Sequence, residues 1–370
     1  MPPVEDFTIG VEEEYQILHP ETRELRQRAQ RILPEARRQV GDDVTNELYL
    51  SQIEVGTPVC RTLDDVRAEL VRLRKAVIAA AGRDNSRIAA AGTHPFSHWD
   101  QQAITPKARY FGIADDFGQL AREQIIFGCH VHVGIADRDA AIGVMNRSRP
   151  WLPAILALSA NSPFWLGLDT GFASYRTELF ARFPMTGTPH AFDSRAEYDD
   201  VVQSLTDVGV IDDGSKIYWD VRPSSHFETL EFRVADVCVT IDEAVMIAGL
   251  CRALARTCHE QHRSGEPVVL IRPELLRAAK FRASRFGLEG ELIDVRARRS
   301  VPAARMILTM LDFLRPALES VGEWDQVSRL VHRTIERGNG AMRQRAALAR
   351  SGRMEDVVDL LIEETAQGLD

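Results

Sequence analysis

The chain has 370 residues, 45% of them hydrophobic and 27% charged, and its formal net charge is −9. This composition is typical of a globular protein with a buried core, and the acidic balance argues against a general electrostatic surface for nucleic acid. No apolar run approaches the ~20 residues that a membrane-spanning helix needs, so no membrane partner is expected.

Strands and helices are interleaved over the first two thirds of the chain. Alternating polarity predicts strands at Thr8–Ile17, Val44–Thr57, Arg87–Ala91, Ile125–Ile135 and His226–Val234. Helices are predicted at Leu25–Gln39, interrupted at Pro34, from a Thr62–Asp65 capping box to about Gly82, and at Asp139–Ser159, broken near Arg149. The Gly-rich and aromatic stretch Asn161–Thr177 is predicted to be a loop region.

From Asp242 onward the pattern is helical. The predicted helices are Asp242–His262, Pro273–Phe286, Pro302–Val321, Trp324–Arg337, Ala341–Arg350 and Met354–Ala366. Because the earlier strands are separated by long, irregular intervals without βαβ spacing, the predicted fold class is α+β with an antiparallel sheet. No internal repeat or linker interrupts the chain, so residues 1–370 are expected to form one domain, with a helical C-terminal part at about 240–370.

Cysteine usage bears on the cellular compartment. The five cysteines are odd in number and none has C-x-x-C spacing, which favours free thiols in a reducing cytoplasm. Residues 1–6 lack a basic stretch followed by an apolar one, so no secretory signal is expected.

Two glutamates in the first predicted strand suggest a metal site. Residues i and i+2 of a strand project from one face, so Glu12 and Glu14 lie side by side, while Glu13 faces the apolar side in a structural role. Carboxylates this close repel each other unless a cation or a proton lies between them. The pair therefore indicates a divalent cation, and a solvated strand edge is the alternative.

Gln52 and Glu54 share one face of the second predicted strand, next to Gly56, although an exposed polar face explains them equally well. Glu47 precedes Glu54 by seven residues, so a straight strand directs it to the other face. It reaches a shared site only through a bulge or a bend.

Two later strands carry further polar pairs. His130 and His132 project from one face of an apolar strand, which indicates metal or phosphate contact or buried structural histidines. In Thr229–Val234, Glu231 and Arg233 share the polar face, either as a metal ligand beside a phosphate clamp or as partners in a salt bridge. The two imidazoles raise the alternative of zinc, but the excess of carboxylates favours Mg²⁺ or Mn²⁺.

Together these strands predict a sheet with one face rich in charged and imidazole groups. Such a face is costly unless something binds there, and divalent ions bridging phosphates fit best, as phosphoryl transfer requires. The sequence contains no G-x-x-x-x-G-K-[ST] loop, which excludes a nucleotide site of the P-loop type.

Several separated motifs resemble the bacterial ATP-dependent carboxylate–amine ligases of the glutamate–cysteine ligase type 2 family. The motifs are Gly10–Glu14, Gly92–Pro95, Cys129–Val133, Asn161–Trp165, Asp169–Gly171, Ser174–Arg176, Tyr218–Pro223 and Glu231–Val234. The resemblance spans roughly Thr8–Leu292, and the closing helices fit it less specifically.

The resemblance implies a fold and a reaction. The expected fold is that of the glutamine synthetase catalytic domain, a curved antiparallel sheet with flanking helices that holds ATP and Mg²⁺, or Mn²⁺ in its place. The expected reaction is phosphorylation of the side-chain carboxylate of glutamate by ATP, followed by attack of an amine, cysteine in the glutathione-type case. A homodimer is also implied.

The resemblance further implies roles for individual residues. The expected metal ligands are Glu12, Glu14, Glu54, His130 and Glu231. The expected catalytic residues are Arg233, Arg176 and His132, and the expected nucleotide-binding residues are His132, Arg233 and Arg222. Arg176 and Arg222 are candidates for a substrate carboxylate or a phosphate, with a structural role as the alternative. The basic face Lys280, Arg282 and Arg285 either reaches ATP or is solvated.

No distinct cysteine-binding motif is found, so amide formation is implied more firmly than cysteine as the amine. The alternatives are a ligase that uses another amine, a metal-dependent amidohydrolase acting on a γ-glutamyl amide, and a non-enzymatic nucleotide- or glutamate-binding protein. Turnover without ATP distinguishes the amidohydrolase, and ATP binding without turnover distinguishes the binding protein.

Overall fold

The computed structural model describes residues 7–369, so the expectation about a signal at residues 1–6 lies outside it. The strands are β1 (Ile9–Leu18), β2 (Val44–Asn46), β3 (Gln52–Gly56), β4 (Arg87–Ala89), β5 (Gly128–Gly134), β6 (Phe164–Trp165), β7 (Leu168–Asp169), β8 (Thr186–Gly187), β9 (Tyr218–Trp219), β10 (Val221–Pro223), β11 (Thr229–Asp236), β12 (Glu291–Asp294) and β13 (Arg299–Pro302). The helices are α1 (Ala29–Val40), α2 (Leu63–Arg83), α3 (Ala108–Phe117), α4 (Gln119–Arg122), α5 (Arg138–Ser148), α6 (Leu152–Ser159), α7 (Tyr175–Phe180), α8 (Arg195–Asp207), α9 (Ile241–Arg263), α10 (Pro273–Phe286), α11 (Ala303–Glu319), α12 (Trp324–Arg337), α13 (Gly340–Ser351) and α14 (Met354–Thr365).

Seven strands form the central sheet. Their order is β10-β11-β5-β1-β3-β2, and β4 also pairs with β1, beyond the end of β5. Every pair in this sheet is antiparallel. The α+β prediction with an antiparallel sheet is therefore confirmed.

Cross-strand register gathers the predicted polar clusters on one face. Glu12 pairs with Gly56 on one side and with His130 on the other, and Glu14 pairs with Glu54. On the next strand, Glu231 pairs with His132. Because directly paired residues project from the same face, one polar surface results.

The opposite face of the sheet is apolar and buried under helices. Val11, Val131 and Phe232 pack into a cluster with residues of α6 and α9, whereas Tyr15 and Ile53 pack with residues of α1, α2 and α14. Each fully buried side chain of this size contributes roughly 1.5–3 kcal/mol. Helix cover on one face thus holds the sheet and leaves the polar face free for a site.

Glu13 lies on this apolar face and forms a buried ion pair, in agreement with its predicted structural role. Its carboxylate is 2.5 Å from Nη2 of Arg74, and both side chains are fully buried. The Tyr15 hydroxyl also donates to Glu13. The Arg74 guanidinium donates to the carbonyls of Cys238, Val239 and Thr365. Arg74 of α2 therefore ties β1 to the start of α9 and the end of α14.

The predicted strand Val44–Thr57 is wrong, because the segment is a hairpin. Its arms are β2 and β3, which pair antiparallel. Gln52 N donates to the Tyr49 carbonyl at 3.0 Å, and Tyr49 N donates to the Gln52 side chain at 3.1 Å. This local bonding reverses the chain between the two arms.

Other boundaries agree or shift slightly. The capping box of α2 is confirmed, since Thr62 and Asp65 each accept the other's backbone N–H. Helix α1 begins at Ala29 and not at Leu25, because Leu25 pairs with Leu18 in an isolated bridge. The pattern missed α3, α4, α8 and the β12–β13 hairpin. No helix within residues 7–369 combines the length and apolarity needed to cross a bilayer.

We expect Glu13→Gln to lower the free energy of unfolding by about 3–5 kcal/mol, because it leaves the buried Arg74 charge without its partner. Urea denaturation followed by circular dichroism measures the loss. The matched control is Glu336→Gln on the exposed side of α12, which is expected to change stability by less than ~0.5 kcal/mol. Equal stability of the two variants would contradict the structural role assigned to Glu13.

Candidate active site

A cavity of about 380 Å³ lies over the polar face of the sheet. All nine site residues predicted from the sequence line it: Glu12, Glu14, Glu54, His130, His132, Arg176, Arg222, Glu231 and Arg233. They come from five strands of the sheet, namely β1, β3, β5, β10 and β11, and from the short helix α7, which carries Arg176. The predicted residues are thus brought together in one place.

Glu12 lies between the two histidines of β5. Nδ1 of His130 is 3.1 Å from one carboxylate oxygen of Glu12, and Nε2 of His132 is 3.2 Å from the other. Burial alone would raise the pKa of Glu12, but hydrogen bonds to and charges on the two imidazoles hold it well below its usual range. Burial lowers the pKa of His130 to about 4, helped by the positive charge of Arg233. Glu12 is therefore an ionised carboxylate at neutral pH.

Glu231 is paired with two arginines. Nε of Arg222 is 3.0 Å from one oxygen of Glu231, and the Arg233 guanidinium contacts the other. Burial opposes ionisation of Glu231, but the charges of Arg233 and Arg222 lower its pKa to about 2. The salt bridge considered from the sequence is present, and the same three side chains also line the cavity.

Arg233 lies where β11 departs from regular pairing. The register of β11 against β5 shifts between Phe232 and Ala235, while Arg233 N still donates to the carbonyl of Asp220 at 2.8 Å. Strand alternation already directs Arg233 to the same face as Glu231, two residues before it, and Arg233 lines the cavity beside Glu231.

A second group of carboxylates lies near Arg176 and Arg233 but, among the described residues, forms no ion pair like that of Glu231. Glu14, Glu47 and Glu54 line the cavity together, and burial followed by mutual repulsion raises the pKa of Glu14 to about 8. The same causes raise the pKa of Glu54 well above its usual range. Burial also raises the pKa of Glu47. Three neighbouring, half-buried carboxylates in this state form a site that favours a divalent cation.

Glu47 joins this group because of the β2–β3 hairpin. It lies in the connection after β2 and not on a straight strand. This connection is the bend through which Glu47, seven residues before Glu54, reaches the same face. Its backbone carbonyl accepts from the Thr105 hydroxyl at 2.6 Å, which fixes the connection.

Glu12, His132 and Glu231 form a group suited to hold a metal ion. One ligand atom from each lies within 4.8 Å of the others. Nδ1 of His132 is 3.0 Å from the Thr229 hydroxyl, which orients Nε2 toward the carboxylates. Apart from the Glu12 oxygen at 3.2 Å, that buried Nε2 has no hydrogen-bond partner among residues 7–369. An imidazole and two carboxylates that converge in this way fit a Mg²⁺- or Mn²⁺-type ion.

The group Glu12, His132 and Glu231 differs in one residue from the metal ligands that the resemblance implies. His132 belongs to the compact group, whereas Nδ1 of His130 is 4.0 Å from Glu231. The sequence placed His130 on the metal and His132 toward the nucleotide. The two histidines sit on the same strand two residues apart, so sequence parity alone did not distinguish them.

Arg176 enters the cavity from the first turn of α7. Its side chain is 4% exposed, and its buried Nε has no hydrogen-bond partner among the described residues. The guanidinium lies directly against Gly128, where a β-carbon would clash with it. Gly128 N also donates to Glu14 at 2.6 Å. Arg176 is thus an available cation beside the acidic group.

The sequence missed several residues of the cavity wall. Arg109 and Tyr110 come from α3, and Tyr218, His226 and Phe227 come from β9 and the turn before β11. No motif marks α3 in the sequence, so no signal pointed to Arg109 or Tyr110. Tyr218 falls in a recognised motif and was the one wall residue that the sequence could have supplied.

The basic face of α10 does not contribute to the cavity as the described residues form it. Lys280 Nζ is 2.5 Å from Asp220, Arg282 is 3.6 Å from Glu291, and the guanidinium of Arg285 lies over the ring of Phe172. These side chains are therefore used in structural pairs outside the site.

Sequence comparisons point to one family. The profile of the family described as glutamate-cysteine ligase family 2 (GCS2) matches residues 8–364. A protein of Frankia alni, provisionally named glutamate–cysteine ligase 2-2, is 44% identical over 372 residues that cover 97% of each chain. A Roseiflexus protein, provisionally named glutamate–cysteine ligase 2, is 43% identical and covers 98% of this chain and 96% of its own length.

Structural comparisons give the same fold. The crystal structure of glutamate–cysteine ligase from Francisella tularensis in complex with AMP has a TM-score of 0.74 at 12% identity, over 99% of this chain and 90% of that one. A bifunctional glutathione synthetase from Pasteurella multocida has a TM-score of 0.73 at 14% identity, over 98% of this chain and 53% of that one. At these identities the likeness concerns the fold.

We expect the metal-free protein to lose stability as pH rises from about 4 to about 8. The pKa of Glu14 in the folded state, about 8, exceeds the value near 4.3 of an unfolded glutamate. The folded state therefore binds the proton more tightly, and its stabilising effect is present below pH ~4.3 and lost as pH passes about 8.

Thermal unfolding at about pH 5 and at about pH 8, each with EDTA or with Mg²⁺, tests this expectation. Mg²⁺ should raise Tm more at the higher pH, because the ion then replaces no proton, and Glu14→Gln should reduce that difference. A Mg²⁺-induced shift in Tm that is equal at both pH values in the unaltered chain would contradict the acidic group as a cation site.

Proposed function

Because this chain belongs to glutamate–cysteine ligase family 2, we propose that it joins the side-chain carboxylate of glutamate to an amine with consumption of ATP. The chain is an ATP-dependent carboxylate–amine ligase, which sets aside a non-enzymatic binding role. The observation that supports glutamate and an amine as the substrates is the cavity itself. It places Glu14, Glu47 and Glu54 next to the arginines Arg176 and Arg233.

Cation-binding and anion-binding groups in one cavity fit phosphoryl transfer. We propose that Glu12, His132 and Glu231 hold one divalent ion, that Glu14, Glu47 and Glu54 hold another, and that His130 supports the first set through Glu12. Bound Mg²⁺ would neutralise charge on the phosphates and on the phosphoryl group in transfer.

The chain's own arginines would position the reacting groups. We propose that Arg233, held beside Glu231, contacts the γ-phosphate of ATP, with His132 and Arg222 beside the nucleotide. We propose that Arg176 binds a carboxylate of a substrate, which its unsatisfied Nε supports. Preorganised charges of this kind lower the barrier because they need no reorganisation during the reaction.

We propose an acyl-phosphate route. An oxygen of the glutamate side-chain carboxylate attacks the γ-phosphorus of ATP, and the bond to ADP breaks. The amine nitrogen then attacks the acyl carbon, phosphate leaves, and the nitrogen gives up a proton to form the amide. Exclusion of water from the cavity would protect the acyl phosphate from hydrolysis.

The proposed amine is cysteine, in line with the names of the relatives. The cavity is also lined by the aromatic side chains of Tyr110, Phe180, Phe183 and Tyr218, and its described residues include no feature specific for a thiol. A ligase that uses another amine is therefore the second candidate. The proposal also includes a homodimer, a cytoplasmic location and one catalytic domain over residues 1–370.

Phosphate release in the presence of ATP, Mg²⁺, glutamate and a panel of amines tests the function. The expected result is release that depends on both glutamate and an amine, with cysteine among the best. Release with no amine dependence across the panel would contradict the ligase reaction. Cleavage of γ-glutamyl amides without ATP would support the amidohydrolase instead.

We expect Glu12→Gln and Glu231→Gln each to reduce turnover by at least ~10²-fold while the protein stays folded, because each removes a charge that is preorganised for phosphates and metal. Phosphate release measures the loss, and circular dichroism checks the fold. Glu336→Gln is the control and is expected to keep its activity. Near-normal activity of either cavity variant would show that its residue is not a ligand.

A further inference from the structure

Asp236, at the end of β11, is a buried carboxylate that the proposed reaction does not use. It is fully buried and lies directly opposite Gly128 in the sheet. It does not line the cavity as the described residues form it. Its hydrogen bonds run away from the sheet to the segment Asn161–Thr177, which carries Arg176.

Two serine hydroxyls connect Asp236 to the helix of Arg176. Ser162 Oγ donates to Oδ2 of Asp236 at 2.7 Å and accepts the backbone N–H of Arg176 at 3.1 Å. Ser174 Oγ donates to Oδ1 at 2.7 Å and accepts the N–H of Thr177 at 3.4 Å. A hydroxyl has one proton, so donation to Asp236 leaves each oxygen free to accept from α7.

Asp236 also contacts the Arg176 side chain directly. Nη1 of Arg176 is 3.9 Å from Oδ1 of Asp236, a distance that orients the guanidinium without saturating its donors. The Phe180 ring lies 5.7 Å from Cζ of Arg176. Gly128 leaves the space that the guanidinium occupies. The side chain is thus confined on three sides while its Nε stays unpaired among the described residues.

Two motifs of the resemblance meet at this carboxylate. Gly92 lies against Asp236, where a β-carbon would be 2.8 Å from Cγ, and Asn161 N donates to Oδ2 at 2.8 Å. Asp236 therefore joins the segment after β4, the segment Asn161–Thr177 and the β5–β11 pair.

We propose that Asp236 is a positioning residue for Arg176, acting through Ser162 and Ser174. It sets the first turn of α7 so that the Arg176 guanidinium faces the cavity and can bind the carboxylate of a substrate. The part played in catalysis rests on the proposed function, whereas the link between Asp236 and α7 does not.

Asp236→Asn tests the link because it preserves shape and reverses one hydrogen bond. The amide nitrogen donates, so one serine hydroxyl can no longer donate to it and must turn. Hydrogen–deuterium exchange of the peptide 174–180 is expected to quicken by ~10-fold or more, with exchange of 128–134 unchanged. This readout does not depend on any reaction. Unchanged exchange at 174–180 would overturn the proposal.

A double-mutant cycle with Arg176→Gln tests the catalytic part. Asp236→Asn is expected to lower kcat/KM by ~100-fold in the native background and by less than ~3-fold when Arg176 is already Gln. Both single variants should raise the KM of the same substrate. A ~100-fold loss in both backgrounds would show that Asp236 acts on something other than Arg176.

Ser174→Ala is the milder variant in case Asp236→Asn does not fold, with an expected loss of ~10-fold that again disappears in the Arg176→Gln background. The matched control is Ser148→Ala, a fully buried serine whose hydroxyl donates to Val144 in its own helix. Equal losses for the two serine variants would overturn the proposal. Absence of any turnover in the unaltered chain would contradict the ligase function and leave the exchange result to decide the link.

Discussion

Carboxylates that crowd one face of a sheet repel each other, and the rest of this structure follows from how that repulsion is met. Glu12 is compensated by two imidazoles and Glu231 by two guanidinium groups. Glu14, Glu47 and Glu54 have no comparable partner among residues 7–369, and burial raises the pKa of all three, with repulsion from neighbouring carboxylates adding to it at Glu14 and Glu54. A divalent cation relieves this repulsion without the loss of charge that protonation brings.

The sheet supplies the rigid base that such a site requires. Its reverse face is buried under helices, and the Glu13–Arg74 pair fixes β1 from behind. Side chains on strands are held more precisely than those on loops, which suits phosphoryl transfer, where positioning and electrostatics carry most of the catalysis. Two site residues are not on strands: Glu47 lies in the connection after β2, and Arg176 lies on the short helix α7, where its position depends on the buried Asp236.

The sequence predicted the polar face because alternation in long strands is a local property. Glu12, Glu14, His130, His132 and Glu231 needed only parity and two antiparallel registers, β1 with β5 and β5 with β11, to meet. Glu47 was undecided because its position depends on a turn formed by Tyr49 and Gln52, which alternation does not report. Arg109 was missed because tertiary contacts bring α3 to the cavity, and no local pattern records them. The sequence left two roles for the basic face of α10, contact with ATP or exposure to solvent. Its actual pairing with Asp220 and Glu291 depends on contacts outside the helix.

We propose that this cavity transfers a phosphoryl group from ATP to a substrate carboxylate. Glutamate labelled with ¹⁸O in its side-chain carboxylate tests it most directly, with mass spectrometry of the phosphate released in the presence of ATP, Mg²⁺ and the best amine. If the reaction passes through an acyl phosphate, each phosphate released carries one ¹⁸O from glutamate. Unlabelled phosphate, formed at the same rate as the amide, would contradict it.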